Sequence, residues 1–243
     1  MLLLDVGNSR IKWAHVEGTQ WPYQGAAGIA EWHVLRLAFA SLPQPHKILV
    51  SNVAGDAAAH QVRAACAAWR CPVEFISARS EQCGVRNAYD QPAQLGSDRW
   101  AALIAAWHHE RAACLVVNCG TATTIDALSG EGEFLGGLIL PGVDMMRRSL
   151  TTGTAQLGMD EGNWTEGNWR EFPRNTADAM TSGVIQATVG AILRQYELLG
   201  VSGVRCLLSG GAADSVQAYL EMPLLRMDNL VLQGLQIIGQ ENL

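Results

Sequence analysis

Two stretches of the chain share one pattern of apolar and polar positions. Residues 2–14 read LLLDVGNSRIKWA and residues 115–127 read LVVNCGTATTIDA. Each passes from a short apolar run to a side-chain carboxylate or amide. A small loop with glycine and hydroxyl residues follows, then a second apolar run. Apolar runs around a tight loop predict a β-hairpin over 2–6 and 11–16. The second copy predicts a strand at CLVVN, continued by TTIDAL and GEFLGGLILPG as a meander. KILVSNVA (47–54) reads as a strand, and DAAAHQVRAACAAWR as a helix beginning near Asp56 as N-cap. CPVEFIS (71–77) reads as a strand, and 78–95 as irregular chain punctuated by Pro92. In GSDRWAALIAAWHH, Trp100, Leu103, Ile104 and Trp107 stand at i, i+3, i+4 and i+7, which puts them on one face of a helix.

Further along, MMRRSLTTGTAQL predicts a helix with Arg147 and Arg148 early in it. EGNWTEGNW (161–169) holds EGNW twice and reads as a surface loop with no chemistry assigned. NTADAMTSGVIQATVGAILRQYELLG predicts a long helix with Asn175 or Thr176 near its cap. VRCLLSGGAADSVQAYL reads as strand, glycine pair, helix, and LVLQGLQIIGQ as a final helix. Alternating strands and helices make the class α/β. Each half opens with the repeated hairpin, which divides the chain into 1–112 and 113–243.

Composition narrows the function. Of 243 residues, 49% are apolar and 16% charged, enough to bury a substantial core. The net charge of −6, with no basic run, argues against a nucleic-acid partner. MLLL is too short for a signal-peptide core and Asp5 interrupts it, and no segment is long and apolar enough to span a bilayer. Cys66, Cys71, Cys83, Cys114, Cys119 and Cys206 form no CxxC pair, so free thiols in a reducing cytoplasm are expected.

The loops carry the candidate chemistry. In DVGNS (5–9), a carboxylate at a strand end is costly to bury without a cation or donors. Gly7 admits close backbone approach, and Asn8 and Ser9 offer donors, so the loop suits a Mg²⁺-phosphate group. The same residues also suit an Asx-type turn. NCGTATT (118–124) repeats the arrangement with more hydroxyls, and two such copies suit a polyphosphate. Gly210 and Gly211 follow a strand and precede a helix, a place for a nucleotide or simply a tight turn. In GSDR (96–99), either Ser97 or Asp98 caps a helix, or Asp98 is a general base and Arg99 a carboxylate clamp. His108 and His109, at that helix's C-terminal end, are expected to be solvated and favoured by the dipole.

Taken in order, Asp5-Val6-Gly7-Asn8-Ser9, Tyr89 with Pro92, Gly96-Ser97-Asp98-Arg99, Cys119-Gly120-Thr121-Ala122-Thr123-Thr124, GGLILPG (136–142), Asn175-Thr176 with Ala179-Met180 and Gly183, and Ser209-Gly210-Gly211 resemble type III pantothenate kinase, of the actin and sugar-kinase superfamily. The resemblance covers nearly the whole chain. It implies duplicated ribonuclease H-like domains with the active site in the cleft between them. It also implies transfer of the γ-phosphate of ATP to pantothenate, the first step of coenzyme A synthesis. Under it, Asp5, Val6, Gly7, Asn8, Ser9, Arg10, Ile11 and Lys12 form the first ATP loop, with Asp5 near Mg²⁺, and Thr121 contacts ATP. Asp98 matches the catalytic base; Tyr89, Gly96, Ser97, Asp98, Arg99 and Thr176 match the pantothenate site. A homodimer is implied. Where the family has an aspartate that binds K⁺ or NH₄⁺, this chain has Asn118, which keeps a carbonyl ligand and loses the charge. The alternatives are a non-catalytic accessory regulator of transcription on the same fold, and a sugar kinase of the superfamily.

Overall fold

The computed structural model describes residues 1–152 and 167–241. The strands and helices in chain order are β1 (Leu2–Val6), β2 (Arg10–Glu17), β3 (Gln20–Gly28), α1 (Trp32–Ala40), β4 (Ile48–Asn52), α2 (Gly55–Ala65), β5 (Val73–Phe75), β6 (Glu81–Gln82), β7 (Val85–Asn87), α3 (Ser97–Glu110), β8 (Cys114–Cys119), β9 (Ala122–Leu128), β10 (Glu133–Pro141), α4 (Val143–Thr152), α5 (Thr176–Leu199), β11 (Arg205–Ser209), α6 (Ala213–Gln217), β12 (Leu224–Arg226) and α7 (Leu230–Gln240). Among them no helix is long and apolar enough to cross a membrane. By internal contacts the chain divides into two units. The first holds Met1–Ala112, Leu128–Gly136 and the chain from Asn229 onward; the second holds Ala113–Ala127 and Gly137–Asp228.

In the first unit a five-stranded sheet runs β3-β2-β1-β4-β5. β1 pairs antiparallel with β2 and parallel with β4. Side chains alternate across a strand. Leu2, Leu4, Val6, Ile11, Trp13, Ile48 and Val50 therefore face a core with Leu35 and Phe39 of α1 and Ala58 and Val62 of α2. α7 packs on β1 and β4, α3 packs on β4, and the two helices pack on each other. Trp100, Leu103 and Ile104 are fully buried, as the helical spacing predicts, and so are Ala101, Ala105 and Ala106. Small side chains there let α7 come close: a Cβ on Gly234 would run into the carbonyl of Ala101.

Several local expectations change. The helix over 55–65 is capped by Ala54, and Asp56 lies within its first turn. Residues 78–95 contain the hairpin β6–β7, turned by Cys83 (φ 52°) and Gly84 (φ 78°). Two positive φ values at a two-residue loop make the turn that matches strand twist. The turn is held by the Cys83 N–H donating to Glu241 Oε1 at 2.8 Å. Gln82 Oε1 accepts the buried Trp100 indole N–H at 3.0 Å. Glu133 and Phe134 pair with Arg86 and Asn87 of β7. His108 is exposed, as expected, and partial desolvation, followed by the Arg111 charge, pushes its imidazole pKa down. His109 is exposed, with Nε2 2.7 Å from Gln233 Oε1. All six cysteines are free, and burial pushes the thiols of Cys66 and Cys206 up to about 12.

In the second unit the strand order is β12-β11-β8-β9-β10. β11 pairs in parallel with β8 and with β12. Leu115, Val117, Cys206 and Leu208 meet Val184, Ile185, Val189 and Ile192 of α5 in a second core. α5 is capped by Asn175, whose Oδ1 accepts the Asp178 N–H at 2.8 Å. Only the start of the predicted 145–157 helix is described, as part of α4. The first EGNW copy lies outside the described residues. From the second, Trp169 stacks on Tyr219 with centroids 4.7 Å apart.

The α3–α7 contact yields a stability test. Gly234→Ala forces a methyl group onto the Ala101 carbonyl, and overpacking of this kind costs about 1–3 kcal/mol. Urea unfolding should show the midpoint falling, with ordinary m-values; an unchanged midpoint would show that the helices separate freely.

Candidate active site

The first unit gathers Asp5, Lys12, Tyr89, Gly96, Ser97, Asp98 and Arg99. Asp5 stands opposite Lys12 on β2 and opposite Ser51 on β4. Paired positions share a sheet face, so Lys12, Asp5 and Ser51 form a polar row across three strands. Ser51 is fully buried, and its Oγ lies 2.9 Å from Ser97 Oγ at the start of α3. That bond joins the row to the helix bearing Asp98. Sequence reasoning missed Ser51, although a hydroxyl inside the apolar run ILVSN was the available signal.

Neither Ser97 nor Asp98 caps α3; the N-cap is Gly96, without a side-chain cap bond. The Ser97 hydroxyl is committed to Ser51, and Asp98 Oδ1 accepts the Arg99 N–H at 2.8 Å. A Cβ on Gly96 would lie 2.6 Å from Asp98 Oδ1, so glycine leaves the carboxylate its place. Burial raises the Asp98 pKa, against the Arg99 N–H and guanidinium, which lower it. Asp5 is raised to about 7, first by burial and then by the Asp98 charge, with Lys12 opposing. Burial and the Asp98 charge together favour the protonated form of Asp5.

Arg99 is 6% exposed, yet its guanidinium is surrounded by rings. Its carbon lies 5.8 Å from the Tyr89 ring centre and 5.7 Å from that of Phe134. Nη1 donates to the Tyr89 hydroxyl at 3.1 Å. The Tyr89 and Phe134 rings are 5.2 Å apart. Asn87 fixes the Tyr89 loop, accepting the Tyr89 N–H at 3.1 Å and donating to the Pro92 carbonyl at 3.2 Å. Phe134 and Asn87 escaped the sequence reading because nothing in their neighbourhood marks them as more than strand residues. The arrangement is a planar cation with an aromatic wall, next to a carboxylate on the preceding helical position.

At the tip of the first hairpin the Gly7 N–H donates to the Arg10 carbonyl at 3.0 Å. Asn8, Ser9 and Arg10 are exposed, whereas Val6 and Ile11 point their side chains into the core.

The second unit holds Asn118, Thr121, Thr176, Gly210 and Gly211. Asn118 is partly buried near the end of β8, in register with Ser209. The following turn closes with the Gly120 N–H on the Ala122 carbonyl at 3.0 Å. Thr121 is exposed, and its carbonyl accepts the Gly142 N–H at 2.9 Å. Gly210 has φ 99°, and a Cβ there would strike the Cys119 backbone. The Ala212 N–H donates to the Cys119 carbonyl at 3.0 Å. The Asn118 turn and the glycine pair are thus one body. Gly211 is exposed, with nothing within 4 Å of where its Cβ would stand. Thr176, exposed, opens α5.

Among the described residues no three His, Cys, Asp or Glu side chains form a metal-binding group. A divalent ion would therefore rely on one or two carboxylates together with phosphate and water, which is how Mg²⁺ is ordinarily held. Asp5 fits that demand.

Comparison with known proteins fits this geometry. The family model for type III pantothenate kinase matches residues 1–198. A type III pantothenate kinase from Aromatoleum aromaticum is 48% identical over 243 residues, covering 100% of this chain and 98% of the relative. Among solved structures, a conserved protein from Campylobacter jejuni assigned to the Baf family of transcriptional activators aligns with TM-score 0.63 at 24% identity, covering 100% and 98% of the two chains. The activator of 2-hydroxyisocaproyl-CoA dehydratase from Clostridium difficile, with bound ADPNP, aligns with TM-score 0.56 at 11% identity over 98% and 91%. At such identities these two likenesses bear on fold alone. With a family model over most of its length and a full-length relative at nearly half identity, the chain belongs to the type III pantothenate kinase family.

Proposed function

We propose that this kinase moves the γ-phosphate of ATP to the primary hydroxyl of pantothenate, with Asp98 as the base and Arg99 and Tyr89 as the grip on the substrate carboxylate. The observation that carries the assignment is the run Asp98-Arg99 at the start of α3, with the guanidinium bonded to Tyr89 and the carboxylate raised in pKa by burial. The substrate oxygen attacks the γ-phosphorus, the bond from that phosphorus to the β–γ bridging oxygen breaks, and ADP leaves. The hydroxyl proton passes to Asp98. Such transfer is mostly positioning and charge stabilisation. Thr176, Gly96 and Ser97 complete the pantothenate contacts, and Asp5 to Lys12, Thr121, Gly210 and Gly211 the nucleotide contacts. Mg²⁺ supplies charge neutralisation of the phosphates when bound, and Asp5 is the residue placed to hold it. The full-length relatives favour neither the regulator nor the sugar kinase.

The same reading includes residues 1–112 and 113–243 as the two halves of a duplication, a cytoplasmic setting, and no nucleic-acid or membrane partner. It also includes a homodimer. Leu138 and Ile139 are consecutive on β10 and point to opposite faces, yet are 38% and 66% exposed, with Met145 nearby in sequence at 45%. An apolar strand uncovered on both faces suits burial against a second copy. Sedimentation velocity should show a dimer that Ile139→Asp weakens; a natural protein that stays monomeric at micromolar concentration removes the dimer from the reading.

Asp98 must be ionised to accept a proton, and its pKa is raised. Turnover should therefore rise with pH through an apparent pKa above the ordinary aspartate value of 3.8. Asp98→Asn keeps an acceptor for the Arg99 N–H, so the helix start survives. It should lower kcat by roughly 10²–10⁴-fold and abolish that acid limb. Near-natural turnover would falsify the catalytic role.

Asn118 brings no charge to a monovalent-cation site, and charge is the largest attraction such a weak site has. Turnover in sodium buffer should respond shallowly to added potassium or ammonium, and steeply in Asn118→Asp. Strong activation of the natural protein at low potassium overturns this assignment.

A further inference from the structure

We propose that Arg226 is a positioning residue for the nucleotide, acting through the backbone of Gly210 and Gly211. The proposal rests on the reading of that glycine pair as part of the nucleotide site. Arg226 lies on the edge strand β12 and makes no claim on attention from sequence, since it follows an ordinary apolar run. In the fold its guanidinium reaches across β11. Nη2 donates to the Gly210 carbonyl at 3.0 Å, and Nη1 donates to the carbonyls of Leu208 at 3.1 Å and Met227 at 3.4 Å. Nε lies 3.5 Å from Asp214 Oδ1, and Nη1 lies 3.8 Å from Asp228 Oδ1. Both aspartates are largely exposed, 87% and 86%, so water screens them and the carbonyl contacts dominate.

The consequence lies in peptide geometry. A trans peptide is planar, and its C=O and N–H point in opposite directions. Holding the Gly210 oxygen on Arg226 therefore aims the Gly211 N–H away from Arg226. Gly211 is exposed, and the space where its Cβ would stand is empty. Gly210 cannot turn to meet another need, because its far side is pressed on the Cys119 backbone. The Gly210 oxygen also accepts the Ala213 N–H at 3.3 Å, so the peptide is fixed with its donor away from Arg226 and its acceptor covered by that N–H and by the shorter bond to a positive charge. An anion such as a nucleotide phosphate meets an N–H and a guanidinium field, and no bare carbonyl.

Only a forked cation does this. Leu208 and Gly210 present their carbonyls two residues apart, and arginine donates to both from separate nitrogens. A lysine at the same place keeps the charge and serves one carbonyl at a time. The alternative is that Arg226 merely staples β12 to β11, in which case stability depends on it and nucleotide affinity does not.

Steady-state kinetics on the full chain separates these roles. Arg226→Ala and Arg226→Lys are compared with the natural protein, varying ATP and pantothenate independently, alongside Gly211→Leu as a probe of the site itself. Arg226→Ala should raise KM for ATP by about tenfold or more, with KM for pantothenate and kcat within about twofold. Added methylguanidinium should restore much of the ATP affinity, and Arg226→Lys, which keeps the charge but serves one carbonyl at a time, should fall between. Gly211→Leu should also raise KM for ATP, by filling the open space. If Gly211→Leu raises it and neither Arg226 variant does, the positioning role is overturned while the nucleotide site stands. If none of the three moves it, the site reading fails and the proposal with it. If the Arg226 variants lower the melting temperature and shift both KM values together without rescue by methylguanidinium, Arg226 is a staple only.

Discussion

The close approach of α3 and α7 is the contact on which the first unit's chemistry depends. α3 is buried along most of its length, with Trp100, Leu103 and Ile104 fully covered and alanines between them. Its alanines lie flat, and Gly234 lets the neighbouring helix seat against the Ala101 carbonyl. Dense packing of this kind leaves little room for sliding. The end that matters is the first turn, where Ser97 is pinned to Ser51 and the next two residues bring a carboxylate and a guanidinium. A small translation of α3 would shift all of them together relative to Asp5 and Lys12.

The two hairpins show how one backbone device takes different charges. In the first, a carboxylate sits at a buried strand end beside a second carboxylate, and both are pushed towards the protonated form. That arrangement is unfavourable alone, because burial opposes both charged forms and the Asp98 charge opposes that of Asp5. In the second, an amide occupies the matching place and carries no such cost. The turn after it is instead tied by backbone bonds and by glycines whose neighbours leave no room for a side chain. The first hairpin brings charge to its site; the second brings oriented amides.

What could be read in the sequence followed from strong periodicity or from ordered motifs. The first hairpin, the buried face of α3 and the Asn175 cap all announced themselves through spacing or cap chemistry. The stretch from 18 to 46 did not, because β3 is an exposed edge strand whose residues, QWPYQGAAG, lack alternation. β6 and β7 were hidden for another reason: they are very short, and their turn places a cysteine, not an asparagine or glycine, at the first positive φ. At the site, Tyr89, Asp98 and Arg99 were legible as a constellation. Ser51, Phe134 and Arg226 were not, since each acts through a partner distant in the chain. The capping role offered for Ser97 and Asp98 failed because a tertiary hydroxyl bond took the serine, a competition that no local pattern reveals.

The first unit is left and re-entered by the chain, and its last helix, α7, is its last piece to be made. During synthesis the sheet face that α7 covers, and the alanine face of α3, stay wet until the ribosome has passed residue 240. Domains on a growing chain usually fold as their segments emerge. Here residues 1–112 are made well before the helix that completes their unit, so the nascent chain carries an unfinished apolar surface while the whole second unit is synthesised. A break in the chain anywhere before these eleven residues leaves the same alanine face of α3 uncovered.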